Sequence, residues 1–131
     1  MAIQTQWDDD QKQIIRVEVE GRWSWDELET ALERTIEMMD SVSHKVDFII
    51  DVSRSSLIPG GATQAAQKVA TPETHRNEGV KVVVGANALM RIAYEAYRRI
   101  NRSLGKEQEF LFAKSRDDAR ALIARERSSA S

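Results

Sequence analysis

The chain has 131 residues, of which 41% are hydrophobic and 31% are charged, so we expect a single globular domain with its own core and not a disordered chain. The 19 Lys and Arg residues nearly balance the 21 Asp and Glu residues, and the net charge of -2 gives no electrostatic reason to expect nucleic acid or an anionic membrane as a partner. The sequence contains no cysteine, which excludes disulfides, thiolate nucleophiles and Cys-based metal sites.

The first residues and the longest apolar runs bear on the location of the protein. Residues 1–8 have neither a charged leader nor an apolar segment, so no secretory signal is predicted. No apolar run approaches the ~20 residues that a membrane-spanning helix requires. We therefore expect a cytoplasmic protein.

Two segments near the start alternate apolar and polar side chains with the two-residue period of a strand. The positions that share one face of the two segments are Ile3, Thr5, Trp7, Ile15, Val17 and Val19. The polar residues 8–12 separate them, which predicts an antiparallel hairpin with one solvated face. A cation site is the alternative interpretation of the acidic run 8–10, but no glycine or second acidic cluster accompanies it, so we interpret it as a solvated turn.

A helix is predicted for residues 25–41. Ser24, with Glu27 three residues later, forms a capping box. Apolar residues then follow at spacings of three and four and predict the buried stripe; they are Trp25, Leu28, Leu32, Ile36 and Met39. Trp23 and Trp25 suit either a ligand pocket or the core, and the position of Trp25 on the stripe favours the core.

Residues 46–61 are the stretch around which the rest is organised. The apolar run 46–52 predicts a covered central strand, and it contains Asp51 near its end. A loop then leads to a helix of small side chains that begins at Ala62 and ends before Pro72. Ligands and partners of open α/β sheets bind at this kind of strand-to-helix junction.

The second half repeats the pattern of strand and helix. We predict a strand at 80–84, a tight turn at 85–87 with Asn87 as N-cap, a helix from 88 to about 103, a strand at 109–113, a closing helix capped by Ser115, and a fraying tail at 125–131. Met90, Tyr94 and Tyr97 flank the apolar stripe of the helix that starts at 88. They either widen its buried face or form a patch suited to a protein partner.

The predicted order of elements is β-β-α-β-α-β-α-β-α. It indicates an α/β fold in one domain, residues 1–131, with a mixed, mostly parallel five-stranded sheet and right-handed crossovers. In this order and length the chain resembles the STAS family, the anti-sigma-factor antagonist domains, from Ile3 to about Arg125. The resemblance implies a non-catalytic regulatory module of bacterial-type signalling.

The resemblance also implies a site, because the second helix of STAS domains follows a loop of the type Asp-x-Ser…Asp-Ser-Ser-Gly whose Ser is phosphorylated. Asp51-Val-Ser53 looks like the first part of this loop. Aligning it places Leu57 at the phosphoacceptor position, and Leu cannot be phosphorylated. Ser55 and Ser56 are displaced by one or two residues and would substitute only in a shifted loop. We therefore expect no switch by serine phosphorylation.

Two hypotheses of function follow. In the first, the chain binds a protein partner or itself without catalysis, through the residues Ser53, Ser55, Ser56, Leu57, Ile58, Met90, Tyr94 and Tyr97. In the second, it binds a small molecule or anion, or is a weak enzyme, in a crevice between the 51–61 loop and the 85–87 turn, where helix N-termini favour anions. The residues of that crevice are Asp51, Ser53, Ser55, Gly85 and Asn87.

Recognisable catalytic motifs are absent from the sequence. There is no Gly-x-Ser-x-Gly nucleophile elbow, no phosphate-binding glycine motif and no paired histidine spacing for a metal. The two histidines, His44 and His75, lie in polar segments and are interpreted as surface residues. We therefore predict neither an enzyme nor a cofactor or metal site.

Overall fold

A computed structural model of the chain describes residues 2–55, 76–86, 95, 99 and 110–130. The described elements are the strands β1 (Ile3–Trp7), β2 (Ile14–Gly21), β3 (Val46–Ser55), β4 (Glu78–Val84) and β5 (Leu111–Ala113), and the helices α1 (Trp25–Asp40) and α2 (Arg116–Ala130). The strands form one five-stranded sheet and lie side by side in the order β1-β2-β3-β4-β5. None of the described helices has the length and apolar character needed to cross a bilayer.

The sheet is mixed and mostly parallel, as predicted. β1 pairs with β2 in the antiparallel sense, whereas β2 with β3, β3 with β4, and β4 with β5 are parallel pairs. The α/β class is therefore confirmed. The helices predicted to begin at 62 and 88 lie outside the described residues, except for Glu95 and Arg99, whose backbone is helical.

One face of the sheet packs against α1. Alternation along the strands places apolar side chains on this face, where they meet the buried side of the helix. The buried members of this core are Ile3, Ile15, Val17, Val19, Ala31, Met38, Met39, Val46 and Phe48. The hairpin and the first strand–helix unit thus share one core.

The opposite face packs against α2. Its buried apolar residues come from β3, β4, β5 and the helix, and they are Ile49, Val82, Val84, Ala113, Ala119 and Ile123. Ile49 is fully buried in β3, and its strand neighbours Phe48 and Ile50 belong to the other core. β3 therefore contributes to both cores, in agreement with its prediction as a covered central strand.

Helix α1 begins as predicted, and its buried side agrees in part with the predicted stripe, since Met39 is buried and Leu28 packs against the core. Ser24 is its N-cap, and the Ser24 hydroxyl accepts a 3.2 Å hydrogen bond from the Glu27 N–H. Ile36, expected in the stripe, is 41% exposed. The neighbouring position Thr35 is buried instead, and its hydroxyl donates to the Leu32 carbonyl at 2.7 Å. Because that bond satisfies the hydroxyl, a threonine can occupy the core side of the helix.

The ends of β3 and α2 differ from the prediction, and β4 begins at Glu78, two residues before its predicted start. β3 continues beyond residue 52 because its pairing with β2 resumes after a bulge, with Glu20 opposite Arg54 and Gly21 opposite Ser55. Helix α2 continues through the predicted tail as far as Ala130. Within that segment, Arg127 donates through its Nε to the Asp47 carboxylate and through Nη2 to the Gln13 carbonyl at 3.0 Å. These bonds hold the last turns of the helix against the sheet.

Candidate functional site

The described part of the predicted site lies where β3 and β4 end. Asp51, Ser53 and Ser55 belong to the second half of strand β3, and Gly85 follows β4 directly. The other predicted residues lie outside the described residues; they are Ser56, Leu57, Ile58, Asn87, Met90, Tyr94 and Tyr97. We call Asp51, Ser53, Arg54 and Ser55 the β3 platform.

The Asp51 carboxylate holds this platform to helix α2. Its Oδ1 accepts hydrogen bonds from the Ser53 N–H at 3.0 Å and from the Ser53 hydroxyl at 2.5 Å. Its Oδ2 accepts a 2.7 Å bond from Arg116 Nε, at the start of α2. Asp51 is 7% exposed. Both of its oxygens are therefore engaged within the protein.

These contacts favour the charged form of Asp51. Burial raises the pKa of the carboxyl, but the hydrogen bonds from Ser53 and the bond and charge of Arg116 outweigh burial, so the pKa lies below its ordinary value. Asp51 raises the pKa of Arg116 in return, chiefly through the same hydrogen bond. A carboxylate with a lowered pKa and occupied oxygens is a poor general base near neutral pH. Its geometry fits a positioning role.

Arg116 extends the network to β2. Its Nη2 lies 2.7 Å from Glu18 Oε1, and Arg16 Nε lies 3.0 Å from the same oxygen. Arg16 Nη1 in turn contacts Asp8 Oδ1 at 2.5 Å. Acidic and basic groups thus alternate from the end of β3 across β2 to the turn after β1.

The acidic turn after β1 is not the solvated turn that was predicted. The Asp8 side chain is 2% exposed and accepts bonds from Arg120 Nε at 2.8 Å and Nη2 at 2.9 Å. The hydrogen bond from Arg120 is the largest influence on Asp8, and its pKa lies below the ordinary value despite burial. Asp9 accepts bonds from the N–H groups of Gln13 and Ile14. The prediction failed because Arg120 lies 112 residues away in sequence.

Gly85 brings the end of β4 into contact with the platform. Its φ is +76°, and a Cβ atom at this position would lie 2.5 Å from Ser53 Cβ. A residue with a side chain does not fit here, which explains the glycine. The Gly85 N–H donates to the Ala113 carbonyl at 3.1 Å and joins the end of β5 to the same corner. Ser53 and Gly85 therefore leave no gap for a ligand between them.

Trp23 holds the last residue of β3. Its indole Nε1 donates a 3.0 Å hydrogen bond to Ser55 Oγ, and its ring meets that of Trp25 edge to face with centroids 4.8 Å apart. Trp23 also packs against the α1 core, as sequence interpretation favoured. The bond to Ser55 was missed, although a partly buried indole N–H requires an acceptor and is a usable signal.

The outer surface of the platform is polar. Ser53 and Arg54 are exposed, and Arg54 Nη1 lies 3.2 Å from Glu20 Oε1, in a pair whose side chains are 74% and 59% exposed. An ion pair with this exposure adds little to stability. Both charged groups remain accessible to a partner.

The remaining candidates do not join the platform. His44 is exposed before β3, at the opposite end of the strand, and its Nε2 lies 2.8 Å from the Lys12 carbonyl. His75 lies outside the described residues. Among the residues that the structure describes, no group of three or more His, Cys, Asp or Glu side chains is arranged to hold a metal ion.

Comparisons with known proteins add no assignment. Family models, curated proteins and solved structures were searched, and none matches this chain. The fold and the platform geometry are therefore the basis for inferring function.

Proposed function

We propose that the chain is a non-catalytic interaction module of STAS-like fold, which binds a protein partner through the β3 platform and the segment that follows it. The order of the described elements and the mixed sheet are compatible with this fold. The observation that carries the proposal is the anchoring of the platform, in which Asp51 is bonded to Ser53 and to Arg116.

Anchoring makes the platform a prearranged binding surface. Asp51 ties β3 to α2, Trp23 ties its last residue to the α1 core, and Gly85 packs against it from β4. Side chains held by packing and hydrogen bonds lose little conformational entropy when a partner binds. The exposed Ser53 and Arg54 are thus presented on a rigid support.

The sequence places an apolar group directly after this polar support. Leu57, Ile58 and Pro59 follow the platform by two residues. Apolar residues with polar neighbours have the composition of a protein–protein interface, in which the apolar part supplies most of the affinity and the charges supply specificity. A partner with an apolar patch next to an acidic group matches this sequence, because the exposed Arg54 precedes the apolar residues by three positions.

Regulation by phosphorylation of the platform serines does not fit their contacts. The Ser53 hydroxyl donates to Asp51 Oδ1, and a phosphate on Ser53 would lie against that carboxylate. The Ser55 hydroxyl accepts the indole bond of Trp23. With Leu57 at the position aligned with the STAS phosphoacceptor, we propose a surface that is permanently competent to bind.

The proposal is tested with Leu57→Asp and Arg54→Glu. Each tagged variant of the 131-residue chain is used to capture proteins from the native cell, and captured proteins are quantified by mass spectrometry against the wild type. We expect a protein whose recovery falls at least about tenfold with each variant, since a buried interface anchor contributes ~2 kcal/mol or more. The control is Ile36→Asp, which introduces the same charge at an apolar position exposed on α1.

The melting temperatures of all three variants establish that the fold is retained. Recovery of the same proteins, in the same amounts, with wild type and Leu57→Asp would exclude the platform segment as the interface. Equal losses with Ile36→Asp and Leu57→Asp would show a general effect of charge and would also contradict the proposal.

A further inference from the structure

Strand β1 forms one edge of the described sheet. Within the described sheet it pairs with β2 alone, and its sequence Ile-Gln-Thr-Gln-Trp has no charged residue and no proline. Natural edge strands usually carry a lysine, a proline or a bulge that prevents pairing with another chain. The regular register from Ile3 opposite Val19 to Trp7 opposite Ile15 shows no bulge in β1. In its own sequence and register, β1 therefore lacks the usual protection of an edge strand.

The ladder with β2 identifies the backbone groups that face outward. The Ala2 carbonyl accepts from the Glu20 N–H at 2.8 Å, and the Asp8 N–H donates to the Ile14 carbonyl at 2.8 Å. In an antiparallel pair the bonding residues alternate, so the even-numbered residues of β1 bond to β2. The N–H and C=O groups of Ile3, Thr5 and Trp7 therefore point to the open edge.

The sequence of β1 is complementary to itself about Thr5. An antiparallel copy centred on this residue places Thr5 opposite Thr5, Ile3 opposite Trp7 and Gln4 opposite Gln6. The bonded pairs in this register are the odd-numbered residues, which have their backbone groups directed outward. An aromatic residue opposite a β-branched one is a favourable cross-strand pair, and the two glutamines can exchange amide hydrogen bonds.

Helix α1 carries charges that are complementary to those of an antiparallel second copy. A groove of about 370 Å³ runs between β1 and α1, and it is lined by Glu27, Thr30, Ala31 and Arg34 from the helix. Because α1 connects the parallel strands β2 and β3, it runs opposite to them and in the same direction as β1. Glu27 therefore lies toward the start of β1 and Arg34 toward its end. A two-fold axis at Thr5 exchanges these two positions.

We propose that β1 pairs with β1 of a second copy of this chain about a two-fold axis at Thr5, so that two five-stranded sheets become continuous. Each Glu27 then lies near Arg34 of the partner subunit. This surface is distinct from the β3 platform and does not depend on the function proposed for it. The paired strand has five residues, so the interface is at the small end of specific interfaces and we expect a weak dimer.

Thr5→Pro tests the strand pairing. The substitution removes an N–H that points to the open edge, and proline is tolerated at such positions of an edge strand. Sedimentation velocity over about 1 µM to 1 mM should show a monomer–dimer equilibrium for the wild type. We expect Thr5→Pro to raise the Kd on the order of 100-fold, because one bond is lost on each side of the axis. The matched control Thr5→Val keeps the N–H and should retain the dimer.

Charge reversal tests the register. Arg34→Glu places two acidic groups together at each end of the interface and should weaken the dimer about tenfold. The double variant Glu27→Lys with Arg34→Glu restores opposite charges, since both subunits carry both changes, and should recover most of the wild-type affinity.

Amide hydrogen exchange keeps the proposal testable if a variant is unstable. In the wild type, the amides of Ile3, Thr5 and Trp7 should exchange more slowly at high protein concentration, whereas those of Gln4 and Gln6 should not change. Three results would each overturn the proposal: a monomer at about 1 mM, a dimer unaffected by Thr5→Pro, or a double reversal that binds no better than Arg34→Glu. Assemblies that grow beyond the dimer would overturn the closed two-fold arrangement.

Discussion

Asp51→Asn measures how strongly the β3 platform is anchored. The substitution removes one negative charge with almost no change in volume. Asn retains an oxygen for the hydrogen bonds of Ser53, but its amide group then meets the Arg116 Nε–H, so that two donors face each other. The 2.7 Å bond between the Asp51 carboxylate and Arg116 is lost.

The expected cost follows from the environment of that bond. A hydrogen bond to a charged group contributes ~1.5–3 kcal/mol. Arg116 is 34% exposed and keeps its contact with Glu18, so we expect the loss of stability to lie toward the lower end of this range. We expect the free energy of unfolding at about pH 7 to fall by ~2 kcal/mol.

The pH dependence supplies a second readout. The pKa of Asp51 is lowered in the folded protein, so its charge stabilises the fold above the ordinary pKa near 3.8. This contribution is lost as the pH falls through the lowered value. The difference between wild type and Asp51→Asn should therefore shrink from about pH 7 to about pH 3 in urea unfolding.

The control is Asp10→Asn, the same chemical change at an exposed turn position. We expect it to change the free energy of unfolding by less than about 0.5 kcal/mol. A loss with Asp51→Asn no larger than with Asp10→Asn, or a loss that is unchanged at about pH 3, would refute the anchoring role of the carboxylate.

Three further substitutions probe contacts around the two faces of the sheet, all by urea unfolding. Gly85→Ala should lower the free energy of unfolding by ~2 kcal/mol or more, because the alanine Cβ would lie 2.5 Å from the Ser53 Cβ at a positive φ. A decrease of less than about 0.5 kcal/mol would contradict the close approach. Arg127→Ala leaves the Asp47 carboxylate, which is 4% exposed, without its cation. It should lower the free energy of unfolding by ~2 kcal/mol and speed amide exchange in the last turns of α2. Unchanged exchange in these turns would argue against the contact. Trp23→Phe loses its hydrogen bond to Ser55, and we expect the free energy of unfolding to fall by ~1 kcal/mol; an unchanged free energy of unfolding would contradict a stabilising role for this bond.

The proposed dimer through the β1 edge would determine how the two β3 platforms are oriented. A two-fold axis perpendicular to the sheet at Thr5 inverts the strand direction of the second copy. The carboxyl ends of the two β3 strands would therefore face opposite ways, and the dimer would present its two platforms on opposite sides. Such an arrangement suits two separate partner molecules and not one compact partner bound by both platforms.

Elements defined by neighbouring residues could be predicted from sequence. The alternation at Ile3, Thr5 and Trp7 predicted a strand, and the structure has β1 at these residues. Ser24 and Glu27 predicted the start of α1, and their hydrogen bond confirms it. Periodicity and capping depend on residues a few positions apart, so their patterns are visible before the chain is folded.

Contacts between distant residues were not accessible in this way. The acidic turn was predicted to be solvated, whereas Asp8 is buried by Arg16 and by Arg120 from the far end of the chain. The end of α2 was predicted to fray, whereas Arg127 holds it to β3. A charged side chain has the same local pattern whether it is solvated or paired, and its partner is chosen by the packing of helix on sheet.

Local sequence patterns predicted the described strands and helices and placed Asp51 in the strand β3, because backbone geometry and side-chain periodicity act over a few residues. Whether the Asp51 carboxylate is exposed to solvent or bonded within the protein depends on the tertiary structure. The same acid would serve as a ligand group if it were open to solvent, but α2 brings Arg116 to it and turns it into an anchor. Long-range packing sets which groups meet, and thereby whether a polar residue binds another molecule or its own protein.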